Sequence, residues 1–398
     1  MKAGWQQNSL GNLCDIVGGG TPSKAIKKFW QGDIPWVSPK DMKSEVVDDS
    51  IDHISKEAID GSATSLVPKG SVLIVVRSGI LARIVPIAIT GCELTINQDL
   101  KALRPKVSLE PRFLYHQLDS QMDILLSLVS RGATVHRLMT DQIRSLNFVL
   151  PPLSEQKRIV TILDEAFEGL ATATANAEKN LSNARELFES QLKAVFTDNS
   201  GMWDKHTLAD MAQTFGRGKS KHRPRNDPTL YGGKYPFIQT GDIRNSDHFI
   251  TDYTQTYNEA GLAQSKLWQK GTLCITIAAN IAETGILGFD SCFPDSVIGF
   301  VADPAKSDAH FVEYLLSSFK ARLQAKGKGS AQDNLNLASF ENEQFPFPSV
   351  TEQKNIASAF DELSAEVTAL ETIYQQKLAA LAELKKSILH QAFTGQLH

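Results

Sequence analysis

The chain has 398 residues, of which 42% are hydrophobic and 22% are charged, a composition typical of two or three globular domains and not of a disordered chain. No stretch approaches the roughly 20 apolar residues that cross a bilayer, and the formal net charge of −4 excludes nucleic-acid binding through bulk positive charge. Any phosphate-binding surface must therefore come from local clusters of Lys and Arg.

The N-terminal residues and the cysteines predict a cytoplasmic protein. The first residues, MKAGWQQNSLGNLCDIV, lack the basic-then-apolar order of a secretory signal. Cys14, Cys92, Cys274 and Cys292 form no CxxC pair, so we expect free thiols and neither a metal site nor a disulfide framework.

Residues 1–150 predict a mixed α/β domain. Apolar, β-rich runs at 71–76, 84–90 and 147–150 predict strands, and residues 111–128 predict a helix. The loops between them are rich in donors that suit phosphates and base edges. The glycine-rich loop at 18–24 could bring backbone amides close to a phosphate, or it could be a plain turn. We select these residues of the domain as DNA contacts: Gly20, Thr21, Ser23, Lys24, Lys40, Arg77, Ser78, Asn97, Gln98, Arg131, Thr134, His136 and Arg137.

Residues 151–200 predict one long helix. It follows a Pro-Pro pair, with Ser154 as the expected N-cap, and apolar or small residues recur at alternating steps of three and four from Ile159 to Val195. A helix this long with a single apolar stripe needs a partner helix, although two ordinary core helices in separate domains remain an alternative.

Residues 201–347 predict a second mixed α/β domain, with strands at 272–277 and 296–302 and a helix at 309–325. Its run from Arg217 to Arg225 carries five positive charges and no acidic residue, which favours nucleic-acid binding, although such a run can also face only water. We select these residues as DNA contacts: Arg217, Lys219, Ser220, Lys221, Arg223, Arg225, Gln239, Thr240, Asn280, Lys326, Lys328, Gln332 and Asn334.

Residues 348–398 repeat the first long helix. The sequence SEQK at 154–157 recurs as TEQK at 351–354, and further identities continue in the same register for more than 40 residues. Thr351 is the expected N-cap, and the apolar stripe runs from Ile356 to Ala392. The two globular domains also repeat, but more loosely. The pattern predicts one fold used twice, with two different surfaces.

Catalytic motifs are missing. The sequence contains no GxxxxGK[ST], HExxH or GxSxG motif, and no Asn/Asp-Pro-Pro-Tyr/Phe tetrapeptide of the kind that amino-methyltransferases use. Glu155-Gln156-Lys157 matches the ExK of many nucleases but recurs at Glu352, where a helix start favours Glu for electrostatic reasons. We therefore predict that the chain is not an enzyme.

Three motifs and the two-copy order together resemble the specificity (S) subunit of type I restriction-modification systems. The motifs are GGGTPSK…FWQGDIPWVSPKDM, LPPLSEQKRIV and the closing LKKSILHQAFTGQL, and the resemblance covers the whole chain. It implies an α+β chain with a pseudo-two-fold internal repeat. In this arrangement the target-recognition domains at 1–150 and 201–347 are separated by the helical segments 151–200 and 348–398, which form an antiparallel coiled coil.

The resemblance also implies the function and the partners. Each domain would read half of a bipartite site in double-stranded DNA, and the coiled coil would set the spacing and dock two methyltransferase (M) subunits. S-adenosylmethionine would bind to the M subunits, ATP and Mg²⁺ to restriction (R) subunits, and no cofactor to this chain, which would have no membrane partner. Partner binding is expected at the repeated helix starts: Glu155, Gln156, Arg158, Glu352 and Gln353.

Three other functions are compatible with parts of the sequence. The chain could be the specificity subunit of a related type II-like methyltransferase-nuclease, which only its partners would distinguish. A coiled-coil scaffold without a DNA role would show no salt-sensitive binding to duplex DNA. A standalone methyltransferase is disfavoured by the missing motifs.

Overall fold

The structure is a computed structural model that describes residues 4–132, 134–198, 201–222, 224, 227–278, 282–328 and 342–397. The chain divides into two compact units. Unit 1 combines Met1–Ala177 with Gln376–His398, and unit 2 is Glu178–Gln375. Each unit therefore holds the sheets of one half of the chain together with part of each long helix.

Unit 1 contains short strands and helices around an apolar core. Its strands are β1 (Gln6–Ser9), β2 (Cys14–Gly18), β3 (Ile34–Val37), β4 (Val46–Val47), β5 (Asp52–Ile54), β6 (Leu66–Val67), β7 (Val72–Val75), β8 (Arg77–Ser78), β9 (Ile87–Thr90), β10 (Leu94–Ile96), β11 (Leu100–Pro105), β12 (His136–Arg137) and β13 (Asn147–Leu150). Its helices are α1 (Leu10–Leu13), α2 (Lys56–Asp60), α3 (Pro111–Asp119), α4 (Met122–Ser127) and α5 (Thr140–Arg144), followed by the start of α6 (Leu153–Asp198).

Unit 2 repeats this plan. Its strands are β14 (Asp204–Thr207), β15 (Ala212–Arg217), β16 (Tyr231–Phe237), β17 (Phe249–Ile250), β18 (Gln255–Tyr257), β19 (Leu267–Trp268), β20 (Leu273–Thr276), β21 (Thr284–Leu287), β22 (Ser291–Cys292), β23 (Val297–Ala302) and β24 (Gln344–Phe347). Its helices are α7 (Thr240–Arg244), α8 (Glu259–Ala263), α9 (Ala309–Lys328) and the start of α10 (Val350–Thr394).

The sheets of the two units have the same topology. Unit 1 has a five-stranded sheet in the order β2-β11-β7-β9-β4 and a four-stranded sheet in the order β5-β3-β10-β6. Unit 2 has the orders β15-β23-β20-β21-β17 and β18-β16-β22-β19, which match strand for strand. The predicted α+β fold with an internal repeat is confirmed.

The predicted strands and helices are found with small differences. The strand predicted at 84–90 is only β9, because Pro86 has no N–H for a ladder bond. The helix predicted at 111–128 is two helices, α3 and α4. They separate at Ser120, whose hydroxyl donates to the carbonyl of Gln117 at 2.7 Å instead of facing solvent.

The long helices begin two residues earlier than the predicted N-caps imply. At α6 the carbonyl of Pro152 accepts from the amides of Glu155 and Gln156, so Ser154 lies inside the first turn. At α10 the hydroxyl of Ser349 accepts from the amide of Glu352 at 3.3 Å, so Ser349 is the cap and Thr351 is not.

Within each unit, the parts of the two long helices run antiparallel. In unit 1, Arg158 near the start of α6 donates to the carbonyl of Leu397, and Phe167 further along lies 5.3 Å from the ammonium of Lys385. In unit 2, Arg185 pairs with Glu371 at 2.8 Å, and Phe196 further along stacks on Phe360. In each unit, residues further along α6 contact residues with lower numbers on α10. This is the order that two antiparallel helices require.

The predicted apolar stripe contains no exposed position on α6, but it does on α10. From Ile159 to Val195 every predicted stripe position is buried or half-buried. On α10, Leu370 is 38% exposed and Leu384 is 48% exposed, so these two stripe positions were predicted wrongly. No helix in the described part of the chain is both long and apolar enough to span a membrane.

A polar contact at the same place in both units fixes the domain helix to the long helix. In unit 1, Arg112 and His116 of α3 contact Asp164 of α6 at 3.1 and 3.2 Å. In unit 2, His310 of α9 lies 3.3 Å from Asp361 of α10, and the hydroxyl of Tyr314 donates to Asp361 at 2.7 Å. The aspartates are equivalent in the repeat, so the mode of attachment is conserved between the two copies while its chemistry differs.

One histidine in each unit has a shifted pKa, and the two shifts have opposite directions. Burial lowers the pKa of His116 below its usual 6.5, although Asp164 and Glu45 oppose this effect. The pKa of His248 is raised, because its Nδ1 bonds to the nearly buried carboxylate of Glu313 at 3.0 Å. His116 therefore stabilises unit 1 above pH 6.5, and this contribution is lost as the pH falls. His248 stabilises unit 2 below pH 6.5, and this contribution is lost as the pH rises through its folded-state pKa.

The replacement of either histidine should therefore flatten one side of the pH–stability profile. We expect His116→Gln to reduce the loss of melting temperature as the pH falls below 6.5, and His248→Gln to reduce the loss as the pH rises above 6.5. Thermal unfolding of the full chain on both sides of this pH is the measurement. If both variants keep the parental slope on both sides, the assigned directions of the two pKa shifts are wrong.

Candidate nucleic-acid interface

In unit 1, strand pairing brings together polar residues that are far apart in sequence. Strand β8 pairs with β12, so that Arg77 lies opposite Arg137 and Ser78 lies opposite His136. Ser130 exchanges backbone hydrogen bonds with Arg137, which places the 130–137 loop beside β8. These predicted contacts, with the neighbouring Arg131 and Thr134, form one basic surface, which we call the β8–β12 face.

The glycine-rich loop serves packing at its centre and is polar at its exposed end. The amide of Gly20 donates to the carbonyl of Ile96 at 3.0 Å, and its carbonyl accepts from Trp36 and Thr64. The N–H of Gly20 is thus used inside the protein and does not donate to a phosphate. The exposed residues that follow include Thr21, whose hydroxyl donates to the Gln98 amide oxygen.

Some predicted contacts of unit 1 have partners within the protein. Asn97 is 5% exposed, and its amide bonds to the backbone and side chain of Asp99, which itself lies 3.7 Å from Arg77. Lys40 pairs with Asp52 at 2.7 Å. Ser23 and Lys24 are exposed, and the ammonium of Lys24 lies 5.9 Å from the centre of the Trp30 ring. Asn97 therefore shapes the loop, whereas Lys24 and Arg77 lie at the surface.

In unit 2, the first part of the basic run lies on the surface where β15 ends. Arg217, Lys219 and Lys221 are exposed, while Ser220 is 7% exposed. Gly218 between them donates to the carbonyl of Val297 at 2.9 Å. The other predictions for this unit lie outside the described residues or their described side chains: Arg223, Arg225, Asn280, Lys326, Lys328, Gln332 and Asn334.

Lys266 belongs to the same surface, although no sequence pattern indicated it. Its ammonium lies 3.5 Å above the ring of Trp268, and the hydroxyl of the preceding Ser265 donates to the carbonyl of Lys219 at 2.8 Å. Burial and the charge of Lys219 lower the pKa of Lys266. Among the described residues, neither lysine has a carboxylate within 4 Å, so an anion bound between them would be stabilised. Only the fold brings Lys266, which is remote from the basic run in sequence, beside Lys219.

A cleft of about 310 Å³ lies beside this basic loop. Its lining includes the predicted residues Ser220, Gln239 and Thr240, together with the aromatic side chains of Tyr231 and Phe237. The Nε2 of Gln239 donates to the Oε1 of Gln255 at 2.9 Å, so two amides are joined at the cleft. Gln255 was not among the predicted residues, because only the pairing of β16 with β18 places it there.

The glutamines predicted to bind partners are instead buried. Gln156 is 1% exposed; its Oε1 accepts from the amide of Glu110, and its Nε2 donates to the carbonyls of Ser108 and Pro151. Gln353 is fully buried and makes the same three bonds, with Asp308, Lys306 and Pro348. Both side chains therefore fasten the start of a long helix to the loop before α3 or α9.

The charged residues at the helix starts remain accessible. Arg158 forms a two-pronged pair with Glu155, at 2.8 and 3.1 Å, and Glu352 is exposed. Partner binding by these three residues stays a prediction. Over the described ranges, no group of three or more His, Cys, Asp or Glu side chains is placed to hold a metal ion.

Comparison with known proteins gives one family. The family model described as "Type I restriction modification DNA specificity domain" matches twice, at residues 2–181 and 201–380. The specificity subunit of the Escherichia coli type I restriction enzyme EcoR124I/EcoR124II is 39% identical over 185 residues, which is 46% of this chain and 45% of that protein. The Methanocaldococcus jannaschii MjaIX specificity subunit is 23% identical over 425 aligned residues, covering 99% of this chain and 93% of that protein.

Solved structures show the same fold. A chain from a study of complex assembly and conformational transition in a type I R-M system superposes with a TM-score of 0.80 at 18% identity, covering 100% of this chain and 99% of that chain. The HsdS subunit from Thermoanaerobacter tengcongensis superposes with a TM-score of 0.63 at 19% identity, covering 100% and 98%. The two matches of the family model, at residues 2–181 and 201–380, coincide with the two copies of the internal repeat.

Proposed function

We propose, because this chain belongs to the family of type I restriction-modification DNA specificity subunits, that its two units each read one half of a bipartite site in double-stranded DNA. The observation that carries the proposal is the repeated scaffold with unlike polar surfaces. The sheets match strand for strand, yet their equivalent positions differ: at the end of β2 in unit 1 stands Gly18, and at the end of β15 in unit 2 stands the exposed Arg217. Two domains that share one fold but carry different surface side chains suit a DNA site whose two halves differ in sequence.

The chain would act by position and not by chemistry. Basic side chains would hold phosphates and fix the register, while amides and other polar groups would contact base edges. The antiparallel helices would set the distance between the half-sites and dock two M subunits, with Glu155, Arg158 and Glu352 as the accessible charges at the helix starts. The M subunits would supply S-adenosylmethionine for adenine methylation, and R subunits would supply ATP and Mg²⁺ for cleavage.

Mapping of methylated adenines in cells tests the proposal. The full chain would be expressed with its methyltransferase partner, and modified adenines would be located by sequencing the genomic DNA. We expect a bipartite motif with a constant gap, which is absent when the chain is omitted. Methylation of an uninterrupted motif, or the same motif without this chain, would contradict the proposal.

The two lysines of unit 2 provide a prediction about salt dependence. The slope of log K for DNA binding against log [salt] becomes shallower by about 0.9 for each phosphate contact that is removed. The double substitution of Lys219 and Lys266 by Ala should therefore make the slope shallower by about 1–2. Lys234→Ala is the matched control, since Lys234 is 73% exposed and already pairs with Glu259 at 3.3 Å. Equal slopes for the double variant and the control would remove these lysines from the interface.

A further inference from the structure

The tip between β16 and α7 in unit 2 corresponds to the tip after β3 in unit 1. The two segments have the same frame: the amide of Ser38 donates to Asp41 at 2.8 Å, and the amide of Gln239 donates to Asp242 at 2.8 Å. The strand pairs also correspond, because Trp36 lies opposite Asp52 and Phe237 lies opposite Gln255. Ser38 and Asp52 are therefore the counterparts of Gln239 and Gln255.

The same place in the two units carries different chemistry. In unit 1, Asp52 forms an ion pair with Lys40, whereas in unit 2 the counterpart of Lys40 is Gly241 and the two glutamine amides bond to each other. The backbone contacts are the same in both units while the side chains differ, which suits a position that determines which base each unit binds. The basic loop of Lys219 lies beside the cleft, so a DNA strand held by that loop would pass close to the amides.

We propose that the Gln239–Gln255 amide pair reads an adenine in the half-site bound by unit 2. This inference rests on the proposed DNA-reading function. A carboxamide presents one acceptor and N–H donors in a single plane, which matches the N6 donor and N7 acceptor of adenine in the major groove. The bond to Gln255 uses one N–H of Gln239 and leaves its second N–H available for N7, while Oε1 can accept from N6.

The amide pair is held ready for this contact. Gln239 is the N-cap residue that precedes the short helix α7, and Phe237 two residues earlier is 4% exposed and stacks on Tyr257 with the ring centres 4.1 Å apart. Gln255 fixes the plane of the Gln239 amide, so less side-chain entropy is lost when a base binds. On its major-groove edge guanine presents two acceptors, N7 and O6. It therefore has no donor for the Oε1 of Gln239.

Selection of duplexes from a random library by the full chain, followed by sequencing, tests this inference. We expect Gln239→Ala and Gln255→Ala to relax the same adenine position, with a loss of discrimination of at least about fivefold, and to leave all other positions unchanged. Gln239→Glu should shift that position toward cytosine, whose N4 donates to a carboxylate. Gln213→Ala, an exposed glutamine on β15 of the same unit, should select the parental motif.

The outcomes separate this inference from the proposed function. Thermal unfolding of each variant identifies any substitution that unfolds unit 2, and in that case Gln239→Glu serves as the test because it keeps the size and shape of the side chain. A bipartite parental motif that Gln239→Glu and Gln239→Ala leave unchanged, or alter only at a base other than adenine, overturns the assignment of the amide pair while the proposed function stands. Selection of no motif by the parental chain overturns both.

Discussion

Gln353→Ala is expected to lower the free energy of unfolding by about 2–4 kcal/mol, since each buried polar group left without a partner costs about 1–3 kcal/mol. The substitution removes three hydrogen bonds at once, from the amide of Asp308 and to the carbonyls of Lys306 and Pro348. It would also leave a cavity where the fully buried side chain stood. Chemical denaturation of the full chain, followed at a probe in unit 2, measures the loss.

A matched pair of controls defines the result. Gln375→Ala changes an exposed glutamine on the same helix and should stay within about 0.5 kcal/mol of the parental stability. Gln156→Ala should reproduce the loss in unit 1, because Gln156 makes the equivalent three bonds. If Gln353→Ala is as mild as Gln375→Ala, the glutamine does not fasten the helix to the domain, and a role at a partner surface regains support.

Gly218→Ala should be the second large effect, and it should reach both stability and DNA binding. A Cβ at this position would lie 2.1 Å from the carbonyl oxygen of Phe293, which is backbone and cannot turn aside. Relief of such a clash typically costs about 1–3 kcal/mol or more and would displace the loop that carries Lys219. We therefore expect a lower unfolding free energy together with at least about tenfold weaker binding to duplex DNA.

Gly216 provides the control for this prediction. It lies two residues earlier on β15, and a Cβ there would meet nothing within 4 Å. Gly216→Ala should therefore retain parental DNA affinity. If it weakens binding as strongly as Gly218→Ala does, the effect comes from this stretch of chain in general, and the close approach of Gly218 to Phe293 is not its cause.

The sequence predicted the parts of the fold that depend on periodicity and repetition. The register between residues 154–157 and 351–354 is sufficient to recognise two copies, and the apolar stripe of α6 is found where the spacing places it. The exposure of Leu370 and Leu384 could not be predicted, since the sequence does not state which stripe positions lack a neighbour.

The sequence predicted less of the candidate site, because the site depends on contacts between distant segments. Arg77 and Arg137 could be selected from their loops, but only the β8–β12 ladder shows that they are neighbours. Lys266 and Gln255 lie in unremarkable stretches and become relevant only through Trp268 and Gln239. For Gln156 and Gln353 the sequence indicated the wrong environment. Their repeated motif predicted a partner surface, but both side chains are buried.

Unit 1 is built from two segments that are far apart in the chain, and this affects the order of folding during synthesis. Leu389 and Ala392 of α10 lie in the same apolar core as Leu10 and Phe113, so this core stays incomplete until the segment after residue 375 has been made. All of unit 2 is translated in the interval, which takes roughly 10–40 s at elongation rates of about 5–20 residues per second. The half of the protein that emerges first from the ribosome is therefore the half that finishes folding second, and during that wait its uncovered leucines and phenylalanines are available to chaperones.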